Sequence, residues 1–107
     1  MIKGIGVDIS LIRRFLSKEE KFVKKILSEK EFSQYSELND LRKVEYLAGR
    51  FCAKEAYYKA SKNKSLGYHD VEILSDKELG LVISDNKAHV SISHDGNYVA
   101  AFIVIEE

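Results

Sequence analysis

The 107-residue sequence predicts an α+β fold in which an N-terminal strand, short helices and one long helix pack on an antiparallel sheet. After the first strand, apolar residues recur at three- and four-residue spacings as far as residue 61, which indicates amphipathic helices. The remainder alternates between apolar and polar residues and is broken by short turn sequences, which indicates strands. Helices followed by a run of strands favour an α+β fold.

The first element is a strand over residues 2–9, and its two faces differ in character. One face carries Ile5, Val7 and Ile9, and the other carries Gly4, Gly6 and Asp8. This period of two is typical of a half-buried strand. Considered by itself, Asp8 is more often the cap of the following helix than a metal ligand.

Helices occupy the middle of the chain. The apolar spacing from residue 10 to residue 27 predicts two short helices, and a third is expected over residues 31–38. A longer helix is predicted from Leu41 to about Ser61, capped by Asn39 or Asp40. Its expected buried stripe is mainly large and apolar: Leu41, Val44, Leu47, Ala48, Phe51 and Tyr58.

The final third is predicted to form the sheet. Strands are expected over residues 71–75, 79–84, 88–94 and 98–105. Between them, residues 84–87 and 95–97 contain Asp, Asn or Gly, which is typical of turns.

Composition and charge exclude several classes of protein. The 17 basic and 17 acidic side chains cancel, so the global basic excess of a nucleic-acid binder is absent. No apolar run approaches the ~20 residues of a membrane-spanning helix. Cys52 has no partner for an internal disulfide, and the strand-like N-terminus differs from a secretory leader, so a cytoplasmic setting is predicted. The length predicts one domain over residues 1–107, whose small core favours oligomerisation.

Glu55 is the most informative single residue, because it places an acid within the predicted buried stripe of the long helix. A buried carboxylate needs a compensating cation. One candidate is Lys59, one turn further on, and the other is a metal ion held jointly with Asp8. Mg²⁺ suits such a pair because it binds one or two carboxylates together with water and substrate phosphates.

Other basic and titratable residues have both a chemical and an ordinary interpretation. Lys59 would face phosphate beside the metal. Arg50 and Lys54 form a basic pair one turn apart, which their spacing alone assigns to a solvated helix face. His94 ends an alternating strand, where histidine is more often a surface or packing residue than a catalytic one.

Three segments, taken in order, are typical of one family. They closely resemble the signature regions of holo-acyl-carrier-protein synthases, the small phosphopantetheinyl transferases. The segments are GIGVDI at 4–9, GRFCAKEAYYKA at 49–60 and HVSISHDGNYVAAFIVIE at 89–106. YHDVEI at 68–73 resembles the family's segment between the long helix and the sheet. The resemblance extends from residue 2 to the C-terminus and implies a 4′-phosphopantetheinyl transferase-like fold.

The resemblance implies transfer of the 4′-phosphopantetheine arm of coenzyme A to a serine of apo acyl carrier protein. Adenosine 3′,5′-bisphosphate would be released, and the product would serve fatty acid and lipid biosynthesis. Asp8 and Glu55 would hold Mg²⁺, with Mn²⁺ as an alternative, and Lys59 would bind phosphate and offset its developing charge. These three would be the catalytic residues. The base that deprotonates the serine stays open between Asp8, Glu55 and a metal-bound water.

The resemblance also implies binding surfaces around this centre. Arg50 and His94 are assigned to coenzyme A, and Arg13 and Arg14 fit the surface that docks the acidic helix of the carrier protein. Lys62, which lies outside the matching segments, is added to the coenzyme A site for its charge. Family members are homotrimers with active sites between subunits, so a homotrimer is expected, with Asp8 and Glu55 able to meet across an interface.

The chain departs from the family pattern in two places. Residues 61–67, SKNKSLG, are shorter and poorer in glycine than the family's nucleotide loop, so Lys62 and Lys64 are expected to replace backbone contacts with charge. Gly80-Leu81-Val82 stands where the family has Gly-x-Pro, so this turn must form without proline.

Two other functions fit parts of the same pattern. A metal-dependent phosphodiesterase also uses two acids and a lysine, but a nucleic-acid substrate would call for basic charge that this chain lacks. A non-catalytic carrier-protein-binding module would have no reason to keep Asp8, Glu55 and Lys59 together. The transferase is therefore the preferred interpretation.

Overall fold

The computed structural model describes residues 1–107. Along the chain, one strand precedes the helices and four strands follow them. The order of elements is β1 (Ile2–Leu11), a 3-10 turn (Ile12–Phe15), α1 (Glu20–Ile26), α2 (Glu29–Ser36), α3 (Asp40–Ser61), a second 3-10 turn (Tyr68–Asp70), β2 (Ile73–Asp76), β3 (Gly80–Ile83), β4 (Ala88–Asp95) and β5 (Tyr98–Glu106). Each predicted element is present, and the ends of the strands and of α2 and α3 differ from the prediction by at most two residues. The predicted α+β class is confirmed.

The strands form two antiparallel sheets. One has the order β1-β5-β4, and the other is the hairpin of β2 and β3. The last strand is therefore the central one of the larger sheet, where it pairs with the first strand and sets Asp8 opposite Ala101. A two-residue loop joins β4 to β5, and Gly96 there adopts a positive φ of 59°, as hairpin turns require.

Helix α3 crosses the larger sheet and begins where the capping pattern predicts. The side chain of Asn39 accepts a hydrogen bond from the backbone N–H of Arg42 at 2.9 Å. The predicted buried stripe is only partly correct, because Leu41 is 72% exposed. Apart from Tyr46 and Leu47, the buried apolar residues of the helix are small: Ala48, Cys52, Ala53, Ala56 and Ala60.

Small residues on α3 meet glycines on β1. A methyl group at Gly4 would overlap the carbonyl oxygen of Ala60, and one at Gly6 would overlap that of Ala56. Strand and helix backbones are thus in direct contact, and the strand face that carries Asp8 points at the helix. Close packing of this kind is open only to residues without a side chain.

Replacing Gly6 with alanine is expected to destabilise the fold by about 1–3 kcal/mol, because the rigid backbone of α3 must move to admit the methyl group. Gly67→Ala is the matched control: its added methyl would lie 3.6 Å from the nearest side chain, at a negative φ. That variant should unfold at the same urea concentration as the parent, or slightly above it. Equal midpoints for the two variants would contradict the close packing of β1 on α3.

The opposite face of the larger sheet is apolar and exposed. We call it the outer sheet face; it comprises Ile5, Val7, Ile9, Tyr98 and Phe102, and each of these is about half exposed or more. Register places Val7 beside Phe102, so the side chains form one continuous patch. A patch of this kind on a small protein marks an interaction surface. No helix combines the length and the apolar character that membrane crossing requires.

Two charged side chains are completely buried, and neither is Glu55. The Lys54 ammonium donates to Glu31 Oε1 at 2.6 Å and to the carbonyl oxygens of Ile26 and Tyr68 at 2.8 and 2.7 Å. Both side chains of the Lys54–Glu31 pair have zero exposure. The expectation of a solvated face carrying Arg50 and Lys54 is therefore wrong, since both residues are buried.

The pair connects segments that are distant in sequence. Glu31 Oε1 also accepts from the backbone N–H of Ser28, and Oε2 accepts from that of Ile73 at 2.7 Å. Helices α1, α2 and α3 are thereby joined to the second 3-10 turn and to β2. Every donor of the ammonium has a partner, which is the condition under which a buried ion pair is tolerated.

The turn between β2 and β3 forms without proline. Asp76 Oδ1 accepts from the backbone N–H groups of Glu78 and Leu79, each at 2.9 Å. Gly80 then adopts a φ of +80°, a conformation that side chains oppose. Asp76 and Gly80 together allow the chain to turn from β2 into β3, so the turn at Gly80-Leu81-Val82 needs no proline.

Candidate active site

Asp8 and Lys59 form an ion pair between β1 and α3. The Lys59 ammonium lies 3.1 Å from Asp8 Oδ1 and donates to the carbonyl oxygen of Val7 at 3.0 Å. The side chains are 19% exposed for Asp8 and 57% exposed for Lys59. Asp8 does not cap a helix, because β1 continues to Leu11 and the following 3-10 turn has no side-chain cap. That ordinary interpretation of Asp8 is wrong.

Glu55 lies on α3 one turn before Lys59. Its side chain is half-buried at the edge of the buried face, so its predicted position in the middle of that face is wrong. The alternative of a Glu55–Lys59 ion pair is wrong, because Lys59 pairs with Asp8 instead. Burial raises the pKa of Glu55, the negative charge of Asp8 raises it further, and Lys59 lowers it. The three groups therefore share one electrostatic environment within a single chain.

The donor set fits Mg²⁺. Two carboxylates repel each other with only one lysine to compensate them, and a divalent cation between them would relieve that repulsion. Nowhere do three or more His, Cys, Asp or Glu residues group to hold a metal. Two oxygen ligands suit an ion that completes its shell with water and phosphate, whereas zinc sites use three or four protein ligands. Asp8 and Glu55 are the residues that would hold the ion.

Aromatic rings cover α3 beside Glu55. The ring of Tyr68 lies 5.8 Å from that of Phe51 and 5.6 Å from that of Tyr58, measured between centroids. Phe51, Glu55 and Tyr58 are spaced at four and three residues, so they share one side of the helix. The hydroxyl of Tyr58 is buried and has no hydrogen-bond partner. No sequence signal singled out Tyr68, and the helical spacing predicted Tyr58 only as a member of the buried stripe.

Arg50 and His94 line one cavity of about 690 Å³ between α2, α3 and the start of the β2–β3 hairpin. Arg50 Nε donates to the carbonyl oxygen of Ile73 at 2.9 Å, and a terminal nitrogen donates to Ser75 Oγ at 2.8 Å. Its guanidinium carbon also lies 3.9 Å from the centre of the Tyr46 ring. The guanidinium is therefore fixed in position at the wall of the cavity.

The remaining predicted site residues lie on exposed segments. Lys62 ends α3 in the left-handed conformation, with a φ of 60°, and is exposed, as is Lys64. Arg13 and Arg14 are exposed on the 3-10 turn after β1. None of these four residues forms an ion pair with Asp8, Glu55 or Lys59.

The titration of Glu55 in the metal-free protein tests this electrostatic arrangement. Asp8→Asn is expected to lower the pKa of Glu55, and Lys59→Met is expected to raise it, because the two charges act in opposite directions. Carbon-13 NMR of the glutamate carboxyl groups measures both shifts. Asp40→Asn, about 22 Å away along the same helix, should leave the pKa unchanged. Shifts of the same sign for Asp8→Asn and Lys59→Met would show that the three groups do not interact as described.

Comparison with known proteins shows the superfamily and the family to which the chain belongs. Residues 4–103 match the family model of the 4′-phosphopantetheinyl transferase superfamily. The holo-[acyl-carrier-protein] synthase of Geobacillus sp. is 44% identical over 99% of this chain and 98% of its own length, and that of Bacillus subtilis is 41% identical over 99% and 97%. The chain belongs to the holo-[acyl-carrier-protein] synthases.

Solved structures agree with this assignment. A holo-(acyl-carrier-protein) synthase from Bacillus anthracis, in complex with CoA (3′,5′-ADP), has a TM-score of 0.88 and 35% identity, covering 98% of this chain and 96% of that one. The Helicobacter pylori enzyme in complex with coenzyme A has a TM-score of 0.80 and 28% identity, covering 95% and 99%. The fold predicted from the sequence resemblance is thus confirmed.

Proposed function

We infer that this chain transfers the 4′-phosphopantetheine group of coenzyme A to a serine of apo acyl carrier protein, with Asp8, Glu55 and Lys59 as its catalytic residues. The observation that carries this assignment is the ion pair of Asp8 with Lys59 between β1 and α3, one helical turn from Glu55, whose pKa responds to both charges. The three residues come from two of the segments that resemble the family's signatures. The whole chain, residues 1–107, would act as one transferase domain in the cytoplasm and would support fatty acid biosynthesis.

Asp8 and Glu55 would bind Mg²⁺, or Mn²⁺ in its place, and the ion would neutralise the pyrophosphate oxygens of coenzyme A. The serine oxygen forms a bond to the β-phosphorus, and the bond from that phosphorus to the leaving adenosine 3′,5′-bisphosphate breaks. Lys59 is half exposed, so its ammonium can turn from Asp8 to the leaving phosphate and offset its charge. The serine proton would pass to Asp8, to Glu55 or to a water held by the metal ion.

The adenosine phosphates would bind at the cavity that Arg50 and His94 line. Arg50 is 5% exposed and donates to Ile73 and Ser75, so only the part of its guanidinium that borders the cavity would reach a phosphate oxygen. Packing against Tyr46 holds the guanidinium in place before the ligand arrives. Lys62 would add charge from the rim, in place of the backbone contacts of a glycine-rich loop.

A homotrimer would cover the outer sheet face. The apolar side chains of this face have no partner within the chain, and burying them against other copies is favourable. Because the charge of Asp8 already acts on the pKa of Glu55 within one chain, neighbouring copies would complete the substrate pocket without supplying the acid pair. Light scattering of the purified protein should give three times the mass of the chain.

The decisive experiment is intact mass spectrometry of an apo acyl carrier protein incubated with this protein and coenzyme A. The carrier should gain one phosphopantetheine group with Mg²⁺ present and none with a chelator. A gain that persists in the chelator would refute the metal requirement. No gain with several folded carriers would refute the transferase and favour a non-catalytic carrier-binding module.

The exposed pair Arg13 and Arg14 would dock the acidic carrier protein. Changing both to alanine is expected to lower kcat/KM for the carrier by about tenfold at low salt, because charge attraction speeds encounter. The rate of the double variant should also depend less on salt than that of the parent. The KM for coenzyme A serves as the internal control and should stay constant. An unchanged salt dependence would place the docking surface elsewhere.

A further inference from the structure

Two adjacent tyrosines on α3 have opposite hydrogen-bonding states. The hydroxyl of Tyr57 donates to Asp85 Oδ2 at 2.7 Å. The hydroxyl of Tyr58 is the one buried side-chain polar atom of the chain that has no hydrogen-bond partner. An unpaired buried hydroxyl destabilises a fold, and a phenylalanine would fill the same space without that penalty. The hydroxyl therefore points to a role outside the stability of the chain.

The groups around Tyr58 limit which residue could accept a hydrogen bond from its hydroxyl. Its ring packs on the ring of Tyr68, which helps to exclude water from the hydroxyl. Burial raises the pKa of Tyr58, and Tyr68, Glu55 and Asp70 raise it further, so two carboxylates lie close enough to act on the phenol. Asp70 is already engaged, since its Oδ2 accepts from the backbone N–H of Gly67 at 2.6 Å.

Glu55 is the acceptor still available. It lies three residues before Tyr58 on the helix, a spacing that makes the two side chains neighbours. Its carboxylate belongs to none of the four ion pairs of the chain and accepts no hydrogen bond. A free donor and a free acceptor thus stand one turn apart at the edge of the candidate site.

We propose that Tyr58 is a positioning residue for Glu55: its hydroxyl donates to one carboxylate oxygen of Glu55 while the other oxygen binds the divalent cation. The proposal rests on the proposed function, since it takes Glu55 as a ligand. A carboxylate that already accepts a hydrogen bond on one oxygen loses less rotational freedom when the other oxygen binds a metal ion. Mutating a residue that hydrogen-bonds to a metal ligand commonly changes metal affinity 10- to 100-fold. The Tyr58 hydroxyl is then unpaired in the metal-free protein, and its hydrogen bond to Glu55 would form when the cation binds.

The adjacent tyrosines supply a matched test. Mn²⁺ binding to the purified chain, without coenzyme A, is measured from the paramagnetic resonance signal of the free ion. Tyr58→Phe is expected to weaken binding about tenfold and to leave the melting temperature of the metal-free protein unchanged or raised. Tyr57→Phe should do the reverse: it should lower the melting temperature by removing the bond to Asp85 and leave Mn²⁺ affinity unchanged.

Glu55→Gln separates failure of this inference from failure of the proposed function. If Glu55→Gln abolishes binding while Tyr58→Phe binds as tightly as the parent, the metal site stands and the positioning role is overturned. If Glu55→Gln binds Mn²⁺ as the parent does, the proposed metal site is wrong and the inference falls with it. A large drop in the melting temperature of Tyr58→Phe would also overturn the inference, because it would show that the hydroxyl stabilises the fold.

Discussion

Glu55→Gln is expected to reduce modification of the carrier protein by about 10²- to 10³-fold, corresponding to roughly 3–4 kcal/mol of transition-state stabilisation. Glutamine has nearly the shape of glutamate but brings no negative charge to the cation. Because Glu55 is half-buried at the edge of the helix face and bonded to no other group, its loss should cost the fold little. Initial rates followed by intact mass spectrometry measure the effect on transfer.

The comparison for this variant is Glu29→Gln, which changes an exposed acid on α2 by the same chemistry. It should transfer at the parental rate. Circular dichroism of both variants should match that of the parent. A lower transfer rate for Glu55→Gln would then reflect a change at the candidate site and not a loss of fold. A rate for Glu55→Gln within threefold of the parent would remove Glu55 from the catalytic residues.

Glu31→Gln is expected to lower the free energy of unfolding by about 3–5 kcal/mol, because it leaves the Lys54 ammonium charged and buried without a counter-ion. The same carboxylate also accepts from the backbone N–H groups of Ser28 and Ile73. Its loss would therefore loosen the start of α2 and the start of β2 together. Urea unfolding followed by circular dichroism measures the change.

An exposed ion pair supplies the control. Glu20 and Lys24 lie 3.7 Å apart with side chains 71% and 57% exposed, and Glu20→Gln should cost less than about 1 kcal/mol. Combining Glu31→Leu with Lys54→Met should destabilise less than Glu31→Gln, because no buried charge remains. The double variant should still be weaker than the parent, since backbone groups lose their partners. A Glu31→Gln protein as stable as Glu20→Gln would show that the buried pair contributes nothing.

The order of elements could be predicted because each carries its own local signal. Period-two alternation marked β1, Asn39 marked the start of α3, and Asp95-Gly96-Asn97 marked the last hairpin. Asp8 and Glu55 were suggested as joint Mg²⁺ ligands by their residue types, and the resemblance of the segments around them to a known family strengthened that prediction. Spacing alone also left each with an ordinary interpretation, a helix cap for Asp8 and an ion pair with Lys59 for Glu55, and the structure contradicts both.

The buried face of α3 could not be predicted, for a physical reason. A hydrophobic stripe is sought among large residues, whereas this helix packs by close approach of Ala56 and Ala60 to two glycines of β1. The face is therefore rotated away from Leu41, and Glu55 moves from the middle of the face to its edge. Packing by contact between backbones leaves almost no signal in hydrophobicity.

The Lys54–Glu31 pair was missed for a different reason. Ser28 and Glu31 have the spacing of a capping box, and the structure shows that both of its hydrogen bonds form. That local signal predicts where α2 begins, but it does not reveal that the same carboxylate also reaches a lysine on α3. Pairing between residues so far apart depends on the tertiary fold, and a lysine beside Glu55 looks like any other helix charge.

Pairing of the first strand with the last has a consequence for synthesis of the chain. The only strand neighbour of β1 is β5, so Asp8 gains its register only when Ala101 has been added. At about 5–20 residues per second, translation separates the two residues by roughly 5–20 s. During that interval the backbone N–H and C=O groups of β1 have no strand partner and can pair with another chain. The ion pair between Asp8 and Lys59, by contrast, joins β1 to α3, and both of its residues are present before β5 is made.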